Sequence, residues 1–258
     1  MLDSFTSLPA LAEALRATVL DPVWGLAALT VLVAGFVKGM TGFGTALVMM
    51  PVISGLFGPA GAVAVLQLVD GPASWTMVPR ALKRCERKQV FLLAGGAAVG
   101  MPLGIVILKV TDPDILRHAI AVTVLLMAAG LASGWRYRGR PSAALSAGTG
   151  ATAGLLGGAT GIGGPPVVLF WLGSQAEGAA VRANLTVYFA TGTLMGLTSL
   201  TIAGLITETA ILRALTLAPV FALGLVGGSR AFGLLSETAF RRAALALVAG
   251  SGITGLAM

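Results

Sequence analysis

Five stretches of this chain, residues 23–37, 44–57, 90–108, 119–132 and 243–258, contain no charged side chain at all. A hydrocarbon layer about 30 Å thick selects runs of roughly 20 apolar residues, and a water-soluble fold has no use for so many of them. Only 10% of the 258 residues are charged while 56% are hydrophobic, and the mean hydropathy is +0.92. Soluble domains carry roughly 25% charged residues, so this chain has too few charges to coat its own surface. The 36 glycines suit helices that pack closely in lipid. The expected fold class is an all-α, polytopic integral membrane protein, with the lipid bilayer as its solvent.

The remaining charge narrows the function. A net charge of +7 would suggest nucleic acid in a soluble protein. Here the basic residues fall in short loops between apolar blocks, where they set orientation, so nucleic acid is not an expected partner. One cysteine, Cys85, allows no internal disulfide, and one histidine, His118, allows no zinc-type cluster. No cofactor or metal is expected, no Walker motif is present, and the apolar segments hold no paired carboxylates or nucleophile–base pair. The chain reads as a non-enzyme without a cleavable signal peptide.

Ten apolar segments follow a short amphipathic stretch at 4–20: about 23–38, 44–58, 61–79, 90–109, 115–135, 142–157, 165–175, 182–205, 210–229 and 239–257. Some are short; 165–175 reaches only about 16 Å as a helix. Broken, Gly/Pro-interrupted segments at matching places in two halves point to a transporter binding site. The match is present: AGFVKGMTGFGTALVMMPV (34–52) and AGLLGGATGIGGPPVVLFW (153–171) align without gaps. They share Gly35/Gly154, Gly39/Gly158, Thr41/Thr160, Gly42/Gly161, Gly44/Gly163 and Val48/Val167. Downstream, Gly100 and Gly104 match Gly224 and Gly228, and residues 115–119 match 239–243. The expected organisation is a surface segment (1–22), a first membrane repeat (23–135), a basic connector (136–141) and a second repeat (142–258).

Loop charge orients the halves. Residues 80–89 carry five Lys/Arg and residues 136–140 carry three, whereas 205–212, the counterpart of 80–89, carries none. The basic bias then returns at Arg230, Arg241 and Arg242. It changes sides between halves, as an inverted-topology repeat requires, and it predicts both termini outside the cytoplasm.

Each Gly-rich motif reads as a helix end, a tight turn and a helix start. Glycine permits positive φ, and Pro165 and Pro166 suit a first helical turn. Non-helical backbone at membrane depth must be buried or line a wet cavity, and a helix start offers free N–H groups to an anion. The two turns are therefore expected to converge on a small anionic substrate. The candidate binding residues are Lys38, Gly39, Thr41, Gly42, Gly44 and Thr45 from the first, and Gly158, Thr160, Gly161, Gly163 and Gly164 from the second. The Gly35/Gly39, Gly154/Gly158, Gly100/Gly104 and Gly224/Gly228 pairs also have the spacing of close helix packing.

Several polar residues sit inside apolar segments, where a charge defaults to a functional reading. Lys38 either complements the anion or snorkels to the interface. Gln67 and Asp70 are candidate coupling residues, a proton being the candidate coupling ion; alternatively Asp70 caps a helix restarting at Pro72. Asn184 is a candidate cargo donor, and Arg182 beside it either joins it or marks an interface. Trp24, Trp75, Trp135 and Trp171 read as aromatic-belt anchors, and Met49 and Met50 as packing. TGIGG resembles part of a dinucleotide fingerprint, but no strand precedes it.

The paired turns GFVKGMTGFG (35–44) and GLLGGATGIGGPP (154–166), each opening one half of a duplicated membrane chain, resemble the sulfite exporter TauE/SafE family, also called the toluene sulfonate uptake permeases. The resemblance extends over residues 22–257. It implies a bacterial inner-membrane secondary transporter for small sulfur-containing anions such as sulfite or organosulfonates, operating without nucleotide hydrolysis. Thr45, Ala46 and Leu47 stand where the second half has Gly-Pro-Pro, so the halves need not contribute equally. Alternating access around the two turns is the expected mechanism, with an anion channel, or a carrier of another small anion on the same scaffold, as the alternative.

Overall fold

A computed structural model describes residues 7–133, 142–173 and 178–231 of the chain. Among these the regular structure is entirely helical. The helices are α1 (Leu8–Leu20), α2 (Trp24–Thr41), α3 (Thr45–Phe57), α4 (Pro59–Ala81), α5 (Arg87–Val110), α6 (Pro113–Ala132), α7 (Ala143–Thr160), α8 (Gly164–Gly173), α9 (Gly178–Ile202) and α10 (Glu208–Ala231). Nine of the ten expected apolar segments coincide with α2 to α10; the tenth, 239–257, lies outside the described residues, as do Trp135, the connector 136–141, Arg241 and Arg242.

Local chemistry sets many of the boundaries. Ser7 and Ser142 accept the Ala10 and Leu145 N–H groups (3.3 and 3.1 Å), and Asp112, followed by Pro113, accepts from Asp114 (2.8 Å). Such caps satisfy N–H groups that the first turn leaves unpaired. No residue of α1 is buried. α2, α5, α6, α9 and α10 contain stretches long and apolar enough to cross a bilayer. The 13 residues of α3 and 10 of α8 span only about 20 and 15 Å, well short of the core thickness. Leu29, Leu103, Val106, Leu126 and Leu223, each more than half exposed, have the large apolar outward face that lipid selects. The chain is a multi-pass membrane protein.

Two glycine seams hold the helices together, and they cross between the repeats. α2 lies on α10, because a Cβ at Gly35 or Gly39 would press on the Phe221 or Leu225 carbonyl oxygen, and one at Gly224 or Gly228 on that of Leu32 or Phe36. α5 lies on α7 in the same way: Gly96, Gly100 and Gly104 face the Ala147, Ala151 and Leu155 carbonyls, while Gly154 and Gly158 face Ala97 and Met101. The four glycine pairs with packing spacing are thus all packing glycines, since only a missing side chain lets backbones come this close.

The third main pairing joins α4 to α9, which are counterparts under the sequence repeat. Trp75 donates to the Ala190 carbonyl (3.1 Å), while Gly71 faces Thr193 and Gly196 faces Gln67. Numbers rise along one helix as they fall along the other, so the counterparts run antiparallel. That is the arrangement an inverted-topology repeat requires.

Two expectations need correction. Trp171 is fully buried rather than a belt anchor, its ring edge-on to Phe170 at 5.2 Å, because α8 is enclosed instead of facing the interface. Asp70 caps nothing, because α4 runs unbroken through Pro72 and Pro79. A proline within a membrane helix is tolerated where neighbouring helices support the freed backbone. Trp75 is 41% exposed, as a belt residue would be, whereas Trp24 is half-buried and donates to Thr216 Oγ1 (3.1 Å). Met49 and Met50 are fully buried packing residues.

Candidate functional site

α2 and α7 end in the same way. Gly42 and Gly161 take left-handed C-cap conformations at φ +82° and +76°, their N–H groups returning to the Lys38 and Gly157 carbonyls (2.7 and 3.0 Å). Gly44, at φ +95°, precedes α3. These values explain the paired glycines, since a side chain is strained there. Each turn then starts a short helix, α3 or α8.

Both turns border one cavity of about 100 Å³, closed by α4, α5 and α9. That is room for several water-sized groups, and so for a small oxyanion. Lys38, Gly42, Gly44, Thr45, Gln67 and Asp70 reach it from the first half, and Gly161, Gly163 and Gly164 from the second. The helix starts differ in donors. Thr45 and Ala46 present backbone N–H groups at the mouth of α3, whereas Pro165 and Pro166 have none to offer at the mouth of α8.

Charge is also one-sided. Lys38 is buried, with 6% of its surface exposed. Its ammonium donates to Asp70 Oδ1 at 2.5 Å and to Ser74 Oγ at 2.7 Å, while Thr45 Oγ1 donates to the same Asp70 oxygen at 3.0 Å. Ser74 is 3.4 Å from the other carboxylate oxygen. Lys38 therefore does not snorkel; it is paired inside the protein. Gly157 occupies the position equivalent to Lys38 in the second motif, so the repeat supplies one cation rather than two. An ammonium held by one carboxylate and one hydroxyl can exchange that carboxylate for another anion.

Other sequence candidates lie elsewhere. Thr41 Oγ1 is within donating distance of the Val37 and Phe43 carbonyls (2.8 and 2.5 Å) and accepts the Phe43 N–H (3.1 Å). Thr160 Oγ1 donates to Leu156 (2.8 Å) and accepts from Ile162 (3.3 Å). Both hydroxyls brace their own turns and neither borders the cavity. Gly39 and Gly158 belong to the helix seams. Asn184 is fully buried away from the cavity, its Oδ1 accepting the Glu86 N–H at 2.7 Å where α5 begins. Sequence reasoning missed Ser74, Thr193 and Phe189. Only Ser74 carried a signal, standing one helical turn after Asp70 on the same face.

Among known proteins, a family model described as sulfite exporter TauE/SafE matches residues 27–255. No curated protein and no solved structure matches the chain.

Proposed function

From the premise that the chain belongs to the sulfite exporter TauE/SafE family, we propose that it is a secondary carrier of small sulfur oxyanions, sulfite or an organosulfonate, working by alternating access around the cavity between the two turns. The family is one of membrane transporters for such anions, and no step of this reading involves bond-making. The observation that carries it is the buried Lys38–Asp70 pair beside the N-terminus of α3. Lys38 and the Thr45 and Ala46 N–H groups receive the anion, with Thr45 Oγ1 beside them, and the second turn shapes the opposite wall. A bacterial inner-membrane location with both termini outside the cytoplasm completes the reading, supported by the loop charges.

An anion entering the cavity must take Asp70's place at Lys38. Two negative charges about 5 Å apart repel by roughly 3 kcal/mol at an effective dielectric of 20. Protonating Asp70 removes that cost, so one proton accompanies the exchange. Asp70 is the coupling residue, and Gln67 beside it in the wall orients the cargo.

Flux of sulfite and of methanesulfonate into proteoliposomes tests this. Transport should saturate and accelerate when the side of entry is acidified. Lys38→Gln should lower kcat/KM at least tenfold, and Asp70→Asn should abolish the response to a pH gradient. Gly42→Leu or Gly161→Leu should stop flux by distorting a turn. Wild-type rates in Lys38→Gln, or flux that never saturates, would overturn the carrier reading.

A further inference from the structure

The two halves meet the cavity with different chemistry. The first brings the Lys38–Asp70 pair, Thr45 Oγ1 and the N–H groups at the mouth of α3. The second brings a helix start whose Pro165 and Pro166 carry no N–H, and beside it Tyr188, Phe189 and Thr193 on α9. A short hydroxyl on a helix readily turns back to its own backbone, and the threonines of α9 do so. Thr186 donates to the Arg182 carbonyl (2.8 Å), Thr191 to that of Tyr188 (2.8 Å) and Thr193 to that of Phe189 (2.9 Å). Thr193 therefore borders the cavity with its hydrogen already committed.

Tyr188 is different, because a phenol stands at the far end of a rigid ring, out of reach of its own helix. The residue is 5% exposed, shares an apolar cluster with Val168, Phe170 and Trp171 of α8, and lies edge-on to Phe189 at 5.6 Å. Among the described residues none takes its hydroxyl. The open space that Tyr188 borders is the cavity. A hydroxyl left unpaired inside a membrane protein is costly, so what the cavity holds must satisfy it.

The geometry points to Tyr188 as an anion ligand, the donor with which the second half holds the cargo that Lys38 and α3 hold from the first. This rests on the carrier reading and deepens it by adding a ligand to the same cavity. A sulfite or sulfonate group has three oxygens spread about sulfur, so donors can approach it from separate walls. The cargo then bridges the halves, and movement of one against the other does not strand it on either. A phenol donates without adding a charge, so it helps to hold the anion without trapping it.

Tyr188→Phe deletes the hydroxyl and keeps the ring. The full-length parent and variant are melted in detergent with sodium chloride, then with sodium methanesulfonate replacing it at equal ionic strength. Both are also assayed for methanesulfonate flux in proteoliposomes. In chloride the variant should melt within about 3 °C of the parent, because no partner within the protein is lost. The methanesulfonate concentration giving half the maximal rise in melting temperature should increase about tenfold, and at least threefold, as loss of a hydrogen bond to a charged group requires. The flux kcat/KM should fall by a similar factor. A larger drop of the melting temperature in chloride would show that the hydroxyl bonds within the protein, and would overturn the assignment. So would a methanesulfonate response shifted less than about threefold. Failure of the carrier reading looks different: the parent then moves no methanesulfonate, while its melting response and that of Tyr188→Phe still decide whether the hydroxyl meets the anion. A parent with neither flux nor melting response removes both.

Discussion

At the scale of single residues the protein depends on one buried charge pair. Lys38 is nearly inaccessible and Asp70 only 16% exposed at its side chain, so each neutralises a charge the other would leave stranded. Lys38→Gln and Asp70→Asn should each lower stability by about 2 kcal/mol, below the usual cost of breaking a fully buried pair because cavity water reaches the carboxylate. The double variant should return to within about 1 kcal/mol of the parent, since no bare charge remains. Thermal unfolding in detergent reads this directly, and additive losses would show that the two groups act separately. Both residues stood out in the sequence because a charge among apolar neighbours demands a reason. Their pairing did not stand out, because 32 residues, including the whole of α3, separate them. The threonines misled for a related reason. T-G-x-G announces a turn, but a hydroxyl at its edge satisfies the turn's own backbone as readily as a ligand, and spacing does not distinguish the two.

At the scale of helices, the seams turn on which glycines meet another backbone. Gly95 and Gly96 are adjacent on α5, yet a Cβ on Gly95 would meet nothing within 4 Å while one on Gly96 would strike the Ala147 carbonyl oxygen. Gly95→Ala should therefore be neutral or stabilising by up to about 1 kcal/mol, through lost unfolded-state freedom. Gly96→Ala should cost about 1–3 kcal/mol by forcing α5 from α7. Equal melting temperatures for the two would refute the seam. The helices themselves were legible because charge-free runs bounded by Gly, Pro or basic residues leave few alternatives in lipid. The antiparallel match of α4 with α9 was legible only indirectly, through loop charge. Burial of Trp171 was not legible, since an aromatic at the end of a short apolar run looks the same whether it meets headgroups or another helix.

At the scale of the whole molecule, the pairing of α2 with α10 and of α5 with α7 ties the halves into one unit. The native Cys85, between α4 and α5, gives a direct test of how that unit sits in the membrane. In intact cells a membrane-impermeant maleimide should fail to label it, and should label it after permeabilisation. A cysteine placed at Thr111, between α5 and α6, should show the opposite pattern in a Cys85→Ser background. Labelling of both from outside would rule out the orientation derived from loop charge.

Synthesis proceeds from one end, and the α2–α10 seam joins distant parts of the chain. α2, made well before α10, must wait with its bare glycine face toward lipid or a chaperone until α10 arrives. Insertion and assembly are thus separate events for this protein, and a ribosome that stalls before α10 leaves in the bilayer a fragment in which α2 has no mate.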